Sequence, residues 1–399
     1  MPRSPVFTTT ARRARLLTRH HLAAEHPAGS VLAAADGVLG LHATDPASIS
    51  LSVLARDPHL TIEGVGTALH DDRSVVRMMA MRRTLFVVPM ASVPVVHAGA
   101  SLGVAARTWR RLESLLRGPT DPELGDIDLT AWIRSVADGA AAAVEQLGVA
   151  TAAEIVALEP RLRTAMLPTG NQPWDARQAI TSMVLVGLGC EGRIVRGRPQ
   201  GDWASRRHRW EPGRAFWPDG LPELDPADAR RDLAGLYLRR FGPATEADVK
   251  WWTGWNLGET RAALAALGAV EVELEGSAPG FVLPGDLDPE PTPAPVANLL
   301  PALDPTAMGW KDRDFYFDID RTPLFDRNGN IGPTIWWNGG VVGGWTVRKD
   351  GEVAHRLLTR IGRAGTAAVA AQVADLQVRL GGRGVVPSFR TPLEKELAG

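Results

Sequence analysis

A chain of 399 residues has room for two or three domains of about 100–200 residues, and its 45% apolar content excludes global disorder. The single cysteine, Cys190, excludes an intrachain disulfide and any cysteine-rich zinc or iron–sulfur site, and it fits a reducing, cytoplasmic compartment. The net charge of −1 conceals an uneven distribution: residues 1–120 hold 14 Arg against 8 acids, residues 193–214 hold 7 Arg against 2, and residues 269–291 hold six acids and no base. Two basic segments inside a neutral total suit an electrostatic footprint on one face.

In chain order, helices are expected at Thr10–Glu25, Ser30–Leu39 and Thr61–Leu69. Apolar strands Val75–Met81 and Thr84–Val88 follow, around Arg82-Arg83 as a hairpin tip. No apolar segment of the signal-peptide kind follows Met1, and the most apolar stretch, Val87 to Ala106, carries two prolines and a histidine, so it reads as core rather than a membrane span.

An internal repeat comes next. Gly148-Val-Ala-Thr-Ala-Ala-Glu-Ile155 matches Gly242-Pro-Ala-Thr-Glu-Ala-Asp-Val249. In each copy a threonine caps a new helix and an acid three residues on, Glu154 or Asp248, closes a capping box, more weakly where the acid is the shorter aspartate. A helix precedes each copy, at Leu129–Leu147 and Pro226–Phe241, and another follows, at Pro173–Leu188 and Asn256–Leu267, ending in Leu-Gly. A strand–turn–strand pattern closes each: Gly192–Arg196 with Arg207–Trp210, and Val270–Leu274 with Gly280–Leu283. Three helices and a hairpin are the order of a winged helix. The reading is therefore mainly α with β (α+β), with three tandem winged-helix units at 8–115, 126–217 and 224–284. Residues 285–399 add a small β-rich domain: an acidic, Pro-rich linker (Asp286–Pro295), strands such as Thr334–Trp337 and Val341–Val347, and a helix at Ala364–Leu380.

The motifs of familiar nucleotide-dependent and zinc enzymes are missing, so neither a metal nor a nucleotide cofactor is expected. Asp326-x-Asn328-x-Asn330 opens like a calcium loop, but Ile331 and Trp337 stand where its glycine and glutamate belong, which leaves a hairpin turn. His20-His21, in an Arg-rich helix, reads as solvated or capping. Arg193, Arg196, Arg198, Arg206, Arg207 and Arg209 fall on the second wing, well placed to track phosphates; the third wing is acidic (Glu271, Glu273, Glu275). Trp251, Trp252 and Trp255 read as packing surface. The most informative segment is Gly40–Arg56. His42, Thr44 and Asp45, at the edge of an apolar run, suit a water and a base. Capping of a helix after Pro46 by Thr44 or Asp45 explains the same residues equally well.

Four stretches taken together resemble a known family: Gly40-Leu-His-Ala-Thr-Asp-Pro46, Met81-Arg-Arg-Thr-Leu85, Leu300-Pro-Ala-Leu-Asp-Pro-Thr-Ala-Met-Gly-Trp-Lys-Asp-Arg313 and Phe325-Asp-Arg-Asn-Gly-Asn-Ile-Gly-Pro-Thr-Ile-Trp336. They are similar to the bacterial winged-helix proteins that include the azinomycin-resistance DNA glycosylase, over residues 10–365. The resemblance implies three winged helices in a C shape, excision of N7-alkylated purines, and unhooking of bulky or crosslinked adducts, in some members as self-resistance to a genotoxic natural product. The family's catalytic Gln-x-Gln, or Gln-x-Asp, before an Asp-Pro is here His42-Ala43-Thr44, a departure in residue identity that keeps position and polarity. On this reading His42 orients or deprotonates a water, Thr44 holds it, and Asp45 orients His42 or adds negative field near the sugar cation. No lysine lies in the motif for a Schiff base, so a monofunctional enzyme is expected. Arg77, Arg82 and Arg83 on the first wing are expected to contact phosphates. The partner is double-stranded DNA carrying alkylated guanine, and the chain is expected to act as a monomer. A winged-helix transcription regulator and a non-catalytic adduct-binding protein are the competing readings.

Overall fold

The computed structural model describes residues 5–167 and 177–399. Residues 173–176 of the Pro173–Leu188 expectation lie outside them; of its remainder, Gln178–Ala179 is a short strand and the helix starts only at Thr181. The architecture is mixed helix and sheet, and the chain divides into two compact units: Met1–Val76 with Phe86–Ala91 and Arg230–Gly399, and Arg77–Leu85 with Ser92–Ala229.

After a short strand β1 (Val6–Phe7), helix α1 (Thr9–Arg19) is capped by Thr8, and α2 (Val31–Asp36) by Ser30, each hydroxyl taking a backbone N–H two turns' orphans would otherwise leave exposed. The chain then reverses through Leu39 and Gly40, both at positive φ, into β2 (Leu41–His42). A Cβ on Gly40 would stand 3.1 Å from the Val87 carbonyl, and at φ +124° only glycine is unstrained. Helices α3 (Pro46–Leu54) and α4 (Ile62–His70) follow, then β3 (Val75–Met79) and β4 (Leu85–Pro89). β2 pairs antiparallel with β4, Leu41 opposite Val87 and His42 opposite Phe86.

The second unit continues through α5 (Val93–Val96), one π-helical turn at His97–Ser101, and α6 (Leu102–Leu116). It is completed by β5 (Thr120–Asp121), α7 (Leu129–Leu147), α8 (Ala152–Leu158), β6 (Ala165–Met166), β7 (Gln178–Ala179), α9 (Thr181–Cys190), β8 (Ile194–Arg196) and β9 (Trp210–Pro212). Its core gathers Leu112, Val136, Ala140, Val144, Ile155, Val184, Leu188 and Trp210. Gly187 is required there: a Cβ would meet the Trp109 ring at 2.2 Å, so its absence lets α6 and α9 approach.

Back in the first unit, α10 (Pro226–Phe241) leads into β10 (Ala244–Thr245), α11 (Glu246–Thr253), α12 (Leu257–Leu267), β11 (Val270–Leu274) and β12 (Gly280–Val282). The order recurs: a short strand, helices, then a hairpin whose second strand returns to pair with the first. Leu41 faces Val87, Ala150 bridges Trp210, and Ala244 faces Phe281. Both capping boxes of the repeat are complete. The aspartate box closes despite its length: Asp248 Oδ2 takes the Thr245 N–H at 2.9 Å, and Oδ1 also takes the N–H groups of Lys311 and Asp312.

The C-terminal part forms an antiparallel sheet in the order β13 (Ala297–Leu300), β14 (Thr334–Trp337), β15 (Gly340–Val347), β16 (Val353–Leu357), with α13 (Pro305–Met308), α14 (Gly362–Leu380) and α15 (Pro392–Ala398). Two expectations need correction. The Pro-rich segment is no free linker: Arg15 donates to the carbonyls of Asp286 and Asp288, and Arg19 pairs with Asp286 and Glu290. His20 is neither solvated nor capping. It is fully buried, 2.9 Å from Thr306 Oγ1 and 3.1 Å from the Arg240 carbonyl. The calcium-like loop is a turn, its Asp326 carboxylate taking the N–H groups of Asn328 and Asn330. Among the tryptophans, Trp252 and Trp255 are core. No helix among the described residues is long and apolar enough to cross a membrane.

Candidate active site and nucleic-acid interface

The segment from β2 to the start of α3 sets the three motif side chains differently. His42 is buried, its ring against Phe86 at 5.2 Å between centroids; Phe86 in turn lies 6.2 Å from Trp252. The strand ends at His42; Ala43, also buried, and Thr44, in a bend, lead from it to the start of α3. Thr44 is half-buried, yet its Oγ1 is sealed from solvent and has no hydrogen-bond partner among the described residues. Such a hydroxyl is able to make a further hydrogen bond.

Asp45 has a different situation. It occupies the N-cap position of α3, but its side chain makes no capping bond. Its carboxylate instead receives Ser388 Oγ at 3.0 Å, the Ser388 N–H at 3.3 Å and Ser48 Oγ at 3.3 Å. Asp45 therefore anchors the C-terminal segment to the start of α3. Capping by Asp45 drops out as the rival explanation of the motif.

The next turns of α3 explain why it is buried on every side. Ser48 donates to the Ala302 carbonyl at 2.6 Å, and Ser52 to Asp304 Oδ2 at 2.6 Å. Arg56 and Asp304, both inaccessible, form a two-bond pair at 2.8 and 2.9 Å, and Arg56 also reaches Thr306 Oγ1. Burial raises the Asp304 pKa, but the Arg56 charge and the hydrogen bonds from Arg56, Ser52 and Thr306 outweigh it and hold the carboxyl below its usual range. The Leu-Pro-Ala-Leu-Asp-Pro-Thr stretch is thus a clamp on the helix that carries the motif. Burial brings His20, against the same cluster, down to about 3, so it is neutral near pH 7. Sequence reasoning missed Arg56, Asp304, Ser48, Ser52 and Ser388, since their partners lie some 250–340 residues away.

The basic residues of the second unit separate into three groups. Arg82 and Arg83 form the two central positions of a turn closed by the Thr84 N–H on the Met81 carbonyl at 3.0 Å, both at positive φ (55° and 61°). That is the mirror-image turn of tight hairpins, which asparagine and glycine favour; two arginines there store strain. On the other hairpin Arg198, Arg206, Arg207 and Arg209 are exposed, and Arg193 pairs with Asp138 at 2.8 Å. Arg77 and Arg196 turn inward. Burial brings both down to about 10, and for Arg77 the charge of Arg196 adds to the effect. Cys190 is buried and pushed up to about 12 by desolvation, which makes it a poor nucleophile. Among the described residues no group of His, Cys, Asp and Glu could hold a metal ion.

The family model for AlkZ-like DNA glycosylases matches residues 35–378, a span that contains the motif, the clamp and both basic hairpins. The chain belongs to the AlkZ-like DNA glycosylase family. It is therefore a DNA glycosylase, an enzyme of DNA repair, and DNA is its substrate. The solved structure of Streptomyces sahachiroi DNA glycosylase AlkZ has a similar fold, with a TM-score of 0.70 and 20% identity over 94% of this chain and 97% of that one. No curated protein matches the chain. Membership of the AlkZ-like family disposes of the transcription-regulator reading as a description of the whole chain.

Proposed function

We propose that this enzyme hydrolyses the N-glycosidic bond of N7-alkylated guanine in double-stranded DNA, including bulky or crosslinked adducts, in the manner of an antibiotic-resistance glycosylase, and that it does so as a monofunctional monomer built on tandem winged helices. Alkylation at N7 makes the guanine cationic, so it leaves as a neutral base without being protonated. The work left to the protein is placing water at C1′ and stabilising an oxocarbenium-like sugar. In the step, a water oxygen bonds to C1′. The bond from C1′ to the base breaks, and its electron pair goes to the guanine. The water proton passes to His42, while Thr44 Oγ1 holds that water by a hydrogen bond. Asp45 supports the geometry from behind, and its negative field favours the sugar cation. Arg82 and Arg83, with Arg193, Arg198, Arg206 and Arg207, track phosphates; Arg77 and Arg196 act from within the wing root.

The observation that carries this reading is the partnerless Thr44 Oγ1 two residues beyond His42, in a chain of the glycosylase family. The recurrent order of short strand, helices and returning hairpin supports the winged-helix boundaries 8–115, 126–217 and 224–284, with 285–399 as the appended β-rich part. The test is alkali-dependent cleavage of a duplex bearing one N7-alkylguanine, by wild type and by Thr44→Ala. Loss of cleavage by about 10²-fold or more is expected for removal of a water-positioning group. Tight lesion binding with no released base would instead favour the adduct-binding reading.

A further inference from the structure

Several of the buried arginines come with acids. Arg56 is paired with Asp304, Arg15 with Asp286, and Arg12 lies in the field of Asp248 and Asp312. At the root of the β8–β9 hairpin this is not so. Arg77 on β3 is 6% exposed, its Nε is sealed without a hydrogen-bond partner, and the charge acting on it is that of another cation, Arg196. The Arg196 Nε is likewise sealed and partnerless. Its guanidinium lies 5.1 Å from the Trp210 ring centre, and one terminal nitrogen is 3.4 Å from His208 Nδ1. Burial and the two arginine charges bring His208 down to about 4, so the ring adds no countercharge and no third cation near pH 7. The two arginines line a cavity of about 10 Å³ whose other walls are apolar, among them Met78, Leu85, Val195 and Trp210. That is room for one water-sized atom. A neutral water brings no countercharge to the two guanidiniums, whereas an anionic oxygen brings one and is able to accept from either.

We propose that this cavity is an anion site that takes one anionic oxygen of a phosphate between Arg77 and Arg196. The phosphate comes either free from solution or from the DNA backbone beside the wing. The occupied site ties β3 to the β8–β9 hairpin and fixes the wing root, below the exposed Arg198, Arg206 and Arg207. The inference stands on the buried charges and not on the excision chemistry.

The test uses the full chain. Thermal unfolding is followed as inorganic phosphate is added at constant ionic strength, for wild type, Arg77→Met, Arg196→Met and the exposed control Arg198→Met. Binding of free phosphate predicts a rise in Tm of roughly 2 °C or more at saturation in wild type and in Arg198→Met, absent from the other two. The linewidth of the ³¹P resonance of phosphate provides a readout independent of stability, should Arg77→Met fold poorly. If free phosphate has no effect, binding to an undamaged duplex decides: a salt slope about one unit shallower in Arg77→Met and in Arg196→Met assigns the site to a backbone phosphate. Unchanged Tm, linewidth and slope would overturn the proposal. Excision of an N7-alkylguanine, read separately in the same variants, keeps failure here distinct from failure of the proposed function.

Discussion

Replacing Asp304 by alanine removes a carboxylate that ends four hydrogen bonds, from Ser52, from two nitrogens of Arg56 and from the Thr306 N–H. It also leaves the Arg56 guanidinium with no exposure and no countercharge. Breaking one side of such a buried pair costs about 3–5 kcal/mol, most of it the stranded charge rather than the lost attraction. At about 2–4 °C per kcal/mol, that lowers the melting temperature of the first unit by roughly 6–20 °C. Denaturant and thermal unfolding of the full chain measure it. The sharper readout is a double-mutant cycle: Asp304→Ala with Arg56→Met removes both charges, so it should recover much of the loss and give a coupling energy well outside additivity. A cost below about 1 kcal/mol for Asp304→Ala, or a double variant as unstable as the two losses added, would refute the clamp.

Further predictions concern pH, strain and DNA. His20 has a folded pKa of about 3, below its ordinary 6.5, so the unfolded chain takes up the proton first on acidification. Its contribution is fully present above about pH 6.5 and lost progressively down to about pH 3. Between pH 7 and pH 5 this removes about 2 kcal/mol, which unfolding of wild type against His20→Asn detects as a smaller pH slope in the variant. Asp304 has its folded pKa depressed, so its contribution persists above the ordinary carboxylate range and fades as pH falls through the folded value; Asp304→Asn flattens that limb. Exchanging Arg82-Arg83 for Asn-Gly suits the positive φ of both positions. It should stabilise the chain by about 1 kcal/mol while weakening duplex binding and making its salt slope up to about two units shallower. Higher affinity or lower stability would show that the arginines are not held there for DNA.

Local chemistry explains what was legible in the sequence. The repeat was readable because a capping threonine and its acid are neighbours in sequence, and Leu129–Leu147 and Pro226–Phe241 run over the residues their periodicity predicts. Helix α3 is harder to read: Ser48, Ser50 and Ser52 alternate with Ile49, Leu51 and Val53 as in a strand. All nine residues are buried, so no solvent face imposes a helical period, and the serines are satisfied by partners such as Ala302 and Asp304. Position and polarity single out His42, Thr44 and Asp45 in the sequence, but not the partner of Asp45, because Ser388 is 343 residues away. Arg77 and Arg196 look like ordinary wing arginines in sequence; only burial separates them from Arg198, Arg206 and Arg207.

The measurement that bears most directly on the central claim uses a duplex with one N7-alkylguanine, methyl in one set and bulky in another, incubated with wild type, His42→Ala and Thr44→Ala and then treated with alkali. The account predicts strand cleavage at the lesion only after alkali in wild type, and its loss in both variants while duplex binding and folding persist. Cleavage unchanged in both variants, or no cleavage by wild type on either adduct, would contradict it.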